Sequence, residues 1–124
     1  RIIAVDEVWR MMRHPALLRF LLTAVKTLRT RRKKVILIDQ QLRPFLADPQ
    51  ARLLFENCPI RVIFAQRGGE DVFAQDPAFA HYTDQHRRLL AALPRFRYLM
   101  ETDEGLFLLD SAASPAERRR YGNT

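Results

Sequence analysis

The sequence predicts a mixed α/β fold, with a mostly parallel sheet flanked by helices and a β-hairpin near the C-terminus. Three observations lead there. Short apolar runs, IIAVD (2–6), VILI (35–38) and IRVIFAQ (60–66), read as buried strands. The stretches after the first two runs place apolar residues every three or four positions, the period of a helix. Two further runs then flank a short turn. Strand alternating with helix implies right-handed crossovers and parallel pairing.

Each element has a local cause. Leu17, Leu18, Leu21, Leu22, Val25 and Leu28 form one apolar stripe of a first helix, with Pro15 in its first turn. That helix runs out in RTRRKK (29–34), whose cations suit a helix C-terminus. Residues 44–57 read as helical, with Leu46, Leu53 and Leu54 toward the core, and Asp48-Pro49 splits them in two. RGGED (67–71) reads as a loop. A helix capped at Thr83 or Asp84 is stopped by Pro94. FRYLMET (96–102) and GLFLLDS (105–111) form a hairpin around Asp103-Glu104-Gly105. Ser114-Pro115 starts a last helical turn.

The totals bound the function. The chain has 124 residues, 48% hydrophobic and 28% charged, which suits one globular unit, and we read residues 1–124 as a single portion. Lys and Arg number 21 against 14 acids, for a net charge of +7 and an isoelectric point of about 10.5. Such a surface favours polyanions: nucleic acid, anionic lipid or nucleotide phosphates. One cysteine, Cys58, excludes an internal disulfide and a multi-cysteine metal site. No apolar run reaches the ~20 residues that span a bilayer. The chain starts with Arg rather than Met, and a strand follows at once. We therefore read it as part of a longer protein, with a sheet edge and a helix-packing face left exposed.

Ligands of open parallel sheets sit outside the carboxyl ends of the strands. The odd polar residues fall there: Asp6 and Glu7, then Asp39, Gln40 and Gln41, then Gln66 and Arg67. An apolar strand ending in Asp-Glu is the Walker B pattern of nucleotide hydrolases. Its Asp can hold Mg²⁺ through a water, and its Glu can orient the attacking water. Gln40 could sense a γ-phosphate, and an Arg could neutralise charge in the transition state. The same Asp-Glu pair would also suit a helix start through the macrodipole.

The order of motifs resembles one family. IIAVDEVWRMM, then VKTLRTRRKKVILIDQQL, then LFENCPIRVIFAQ, is similar to the C-terminal part of the conjugative-transfer ATPases of type IV secretion systems, the CagE/TrbE/VirB type. These belong to the HerA–FtsK superfamily of RecA-like P-loop motors. The matching pieces are Asp6-Glu7-Val8-Trp9, Lys26-Thr27-Leu28-Arg29, Asp39-Gln40-Gln41 and Asn57-Cys58. The resemblance implies the C-terminal half of a RecA-like P-loop domain that uses ATP and Mg²⁺. It makes Asp6 and Glu7 the Walker B pair and Gln40 the sensor. It implies a cytoplasmic motor peripheral to the bacterial inner membrane, working as a hexameric ring with other secretion components; DNA is a further candidate partner. The family's Thr-Gln-Ser is here Asp39-Gln40-Gln41, which sets an extra acid beside the phosphates. No G-x-x-x-x-G-K-[ST] loop is present, so this chain alone is expected not to hydrolyse ATP.

Other features have plainer readings. RTRRKK is either a solvated helix end or a functional basic surface, and Arg29, Arg32 and Arg67 are candidates for an arginine acting in a neighbouring subunit. Trp9 reads as packing and Cys58 as a small buried apolar residue. His14, His81 and His86 lack metal-ligand spacing. The rivals are a DNA-translocating ATPase of the same superfamily and a non-catalytic interaction domain.

Overall fold

The computed structural model describes residues 1–66 and 70–121. It has two compact units: residues 1–58 with 76–78, and residues 59–75 with 79–124.

The first unit is built on two parallel strands, β1 (Ile2–Val5) and β2 (Lys34–Leu37). A short 3-10 helix, Val8–Arg13, follows β1 and leads into α1 (Pro15–Thr30). Most of its apolar stripe turns inward: Leu18 and Leu21 are buried, and Leu22, Val25 and Leu28 are half-buried, but Leu17, read as part of the stripe, stays 47% exposed at the helix start. Helices α2 (Leu42–Ala47) and α3 (Pro49–Glu56) follow β2. Phe45, Leu46, Ala51, Leu54 and Phe55 complete this core. The break between the two helices falls at Asp48, as the sequence predicts. Pro49 cannot continue a helix through its missing N–H, whereas the Asp48 carboxylate accepts from the N–H groups of Gln50 and Ala51 and so starts the next one.

The strands are not buried on both faces, as their apolar runs suggested. Ile2, Ile36 and Ile38 remain 46 to 64% exposed. Lys34 and Ile36 pair with Ile2 and Ala4, so these residues share one face of the two-stranded sheet.

The second unit contains β3 (Arg61–Ile63), α4 (Glu70–Gln75), a 3-10 turn at Pro77–Phe79 whose last residue belongs here, α5 (Asp84–Ala92), β4 (Arg97–Thr102), β5 (Gly105–Asp110) and α6 (Pro115–Tyr121). The hairpin forms as expected, with Thr102 opposite Gly105 across a two-residue turn. The third strand differs from expectation. It does not extend the parallel sheet but pairs antiparallel with β4, Arg61 opposite Glu101. A strand of three residues, Arg61-Val62-Ile63, carries no periodicity that tells its direction. The cross-strand ion pair of Arg61 Nη1 with the Glu101 carboxylate, at 2.7 Å, fits this register. Helix α4 occupies part of the stretch read as a loop. The core here is aromatic: Phe73 and Tyr82 each meet Phe79 edge-on, with centroids 4.9 and 5.1 Å apart. Burial, with Glu101 beside it, drives the Tyr82 phenol far above its ordinary range. No helix among the described residues is long and apolar enough to cross a membrane.

Within the first unit, Arg52 on α3 forms a two-bond ion pair with Asp76, Nη1 to Oδ1 at 3.0 Å. Asp76 Oδ1 also accepts from the Ala78 N–H at 2.9 Å. The Arg52 guanidinium holds the Asp76 carboxyl below the ordinary carboxylate range. A carboxyl depressed in the folded state stabilises the fold above its unfolded value and loses that contribution as pH falls through the folded one. Asp76→Asn should therefore cost about 1–3 kcal/mol at neutral pH and flatten the acid limb of stability below about pH 4. Urea denaturation of both proteins from neutral to acid pH checks this; parallel curves would exclude it.

Candidate functional site

The candidate site is where β1 and β2 end together. Their register pairs Val5 with Leu37, and the ladder runs one step further. The N–H of Ile38 donates to the Val5 carbonyl at 2.9 Å, and that of Val8 to the Ile38 carbonyl at 3.3 Å. The two chains thus stay side by side until Asp6 and Asp39 leave them at the same edge.

The two aspartates make the same local bond. One oxygen of each accepts from the next residue's N–H: Asp6 Oδ1 from Glu7 and Asp39 Oδ1 from Gln40, both at 2.7 Å. Their other oxygens differ. Asp6 is exposed. Asp39 Oδ2 is buried without a hydrogen-bond partner. Gln40 is exposed beside it, and Gln41 precedes α2. Asp6, Glu7 and Gln40 therefore lie on neighbouring strand ends, as the sequence reading required.

Glu7 sits in the left-handed region, φ 52° and ψ 50°, an uncommon conformation for a residue with a side chain. It immediately precedes the 3-10 helix, where the Arg10 N–H donates to its carbonyl at 3.0 Å. Its carboxylate meets Arg10 Nε at 2.6 Å. Trp9 is half-buried, with the guanidinium carbons of Arg10 and Arg13 5.6 and 5.5 Å from its ring centre. Cation–π contact adds to packing here. The sequence reading did not anticipate Arg10 as the partner of Glu7; the signal was its i, i+3 spacing from Glu7.

The candidate arginines lie elsewhere. Arg29 and Arg32 are at the C-terminus of α1, where the Lys34 N–H donates to the Arg1 carbonyl. That is the amino end of both strands, about 15 Å from their acidic ends at ~3.3 Å per residue. Within one chain they are separated from Asp6 and Glu7. Arg67 lies outside the described residues. Among the described residues, no group of three or more His, Cys, Asp or Glu side chains is arranged to hold a metal ion. Asp6, exposed at this edge, is the carboxylate that would hold a Mg²⁺ ion, through water.

This arrangement is that of a mixed α/β protein with its polar edge at the carboxyl ends of parallel strands. No protein-family profile matches the chain, and no curated protein matches it. Among solved structures it is similar to VirB4 of Thermoanaerobacter pseudethanolicus. The TM-score is 0.77, with 24% sequence identity, over 94% of this chain. The chain spans 32% of that protein's chain, so it has the fold of a part of VirB4.

The orphaned Asp39 oxygen gives a direct test. A buried carboxylate oxygen without a donor costs free energy. Asp39→Asn keeps the acceptor for Gln40 and removes the buried charge, so it should stabilise the chain by up to about 1 kcal/mol. A lower denaturation midpoint in the variant would contradict this.

Proposed function

We propose that the chain is the C-terminal portion of a RecA-like motor ATPase that energises type IV secretion or conjugative transfer. One observation carries the reading: an apolar strand ends in Asp6-Glu7 beside a parallel strand ending in Asp39-Gln40, within a fold shared with VirB4. On this reading Asp6 holds Mg²⁺ through water, beside the phosphates of ATP. Glu7 accepts a proton from the attacking water, and Gln40 contacts the γ-phosphate. The chain has no phosphate-binding Gly-Lys loop, so the reading requires one from elsewhere in the intact protein. It also requires an arginine from a neighbouring copy, for which Arg29, Arg32 and Arg67 are the candidates. A ring of such subunits, hexameric in this family, would move against other secretion components at the inner surface of the bacterial inner membrane.

The acids act at different steps, which separates their effects. In the intact protein, Glu7→Gln should lower kcat by about a hundredfold or more and leave nucleotide binding within a few-fold. Asp6→Asn should instead weaken Mg²⁺-dependent binding. Calorimetric titration with Mg²⁺-ATP and a phosphate-release assay read the two. Full turnover by the Glu7→Gln protein would sink the reading.

A further inference from the structure

Strand β5 is an outer strand of its sheet, whose order is β3, β4, β5. The Ser111 N–H donates to the Phe96 carbonyl, and this sets the parity of the ladder. Tyr98 with Leu109 and Met100 with Phe107 then exchange bonds, and the pairs between them do not. Leu106, Leu108 and Asp110 therefore aim their N–H and C=O groups away from β4. Such an edge is ordinarily blunted by a charge, a proline or a bulge. Gly105 to Leu109 has neither a charge nor a proline, and its register with β4 is unbroken.

Beside Leu108 the same unit has a cleft of about 460 Å³. Gln85, Arg88, Leu89 and Ala92 line one wall; they stand three and four positions apart and so form one stripe of α5. Leu108 and Arg97, on one face of the sheet, line the other. Leu89 is half-buried, Ala92 is exposed and Leu108 is 46% exposed, so apolar surface here is open to solvent.

The charge of the cleft is positive. Arg88 is exposed, and its Nε reaches the Asp84 carbonyl of its own helix, at 3.4 Å, rather than a carboxylate. The carboxylate of Asp84 pairs with Arg87 instead, at 3.0 Å. Arg97 faces Asp110 with Nε and Oδ2 3.6 Å apart, beyond hydrogen-bond range. Asp110 is thus a loosely held rival for any carboxylate that enters. A guanidinium offers a planar fork of donors that matches a carboxylate.

We propose that this groove binds an extended acidic peptide, which adds to β5 as a further strand. The peptide sets an aliphatic side chain against Leu89 and Leu108, and a carboxylate two residues away, on the same face, meets Arg88 and Arg97. Main-chain bonds to Leu106 and Leu108 give affinity, and the cleft selects the side chains. A fatty acid would match the arginines and the apolar walls but leave the β5 edge unused. A basic peptide would bring its charge against two guanidiniums. Every residue involved lies in the second unit, so the inference is independent of the ATPase reading.

Fluorescence anisotropy tests it, with this chain and then with the intact protein. The probe is a labelled peptide of threonines that carries leucine, glutamate and leucine at alternate positions. Lysine in place of its glutamate should weaken binding by about tenfold or more. Methylating the peptide nitrogens that face β5 should also cost about tenfold, with no change of charge. These two readouts leave the protein untouched, so neither depends on how a variant folds. Arg88→Gln should cost about five- to tenfold for the glutamate peptide and less than about twofold for its glutamine counterpart. Asp110→Asn keeps the acceptor for the Ala112 N–H but removes the rival charge, and should tighten binding several-fold. No binding, equal binding of the lysine peptide, or weaker binding by Asp110→Asn would overturn the proposal. Equal binding of the methylated peptide would overturn it too, leaving only a cleft for apolar acids. So would binding by this chain but not by the intact protein, because the rest of that protein would then fill the groove.

Discussion

The parallel register of β1 with β2 is the constraint on which the first unit depends. Val5 opposite Leu37 fixes the level at which both chains leave the sheet. A slip of one residue would turn every side chain of a strand to the opposite face and move Asp6 away from Asp39. The register is held beyond the strands by the bonds of Ile38 to Val5 and Val8 to Ile38. It is also supported from the other end. The two bonds that close α1 deliver Lys34 to the start of β2, where its N–H meets the Arg1 carbonyl. The helix stop and the acidic edge are therefore two ends of one ladder.

Backbone strain gathers at those same two ends. Glu7, Arg32 and Phe96 are the described non-glycine residues with positive φ. Glu7 lies at the acidic edge and Arg32 at the basic one, and each has a charged side chain where glycine would be easier. Phe96 differs. Its carbonyl accepts from both the N–H and the hydroxyl of Ser111, which closes the base of the hairpin. Its strain has a local structural return, while the strained Glu7 sets its carboxylate against Arg10 Nε.

What could be read from the sequence was mostly local. Asp48-Pro49 divides α2 from α3, because the cap and the missing N–H both act within four residues. The turn before Gly105 and the cap at Thr83 follow for the same reason. The direction of β3 could not be read, since Val62 and Ile63 would suit either sheet and only Glu101, forty residues on, favours the antiparallel register. At the site, Asp6, Glu7 and Gln40 were legible because strand ends in a parallel pair coincide. The distance of Arg29 and Arg32 from them was not read there, although a helix joining two parallel strands ends where the second strand starts. The left-handed backbone of Glu7 and its bond to Arg10 depend on the 3-10 turn, which no periodicity announces.

Charge then follows topology. The parallel crossover sends the carboxyl ends of β1 and β2 one way and the C-terminus of α1 the other. The macrodipole favours cations at that terminus, so some separation of charge is expected in any such unit. Here it goes further than the dipole requires, because no acid occurs from Val8 to Ile38 to screen the cations. A surface held only by stability would intersperse carboxylates, as α3 does with Glu56 and as Arg52 does with Asp76. Leaving the cations uncompensated raises the free energy of the isolated unit through mutual repulsion.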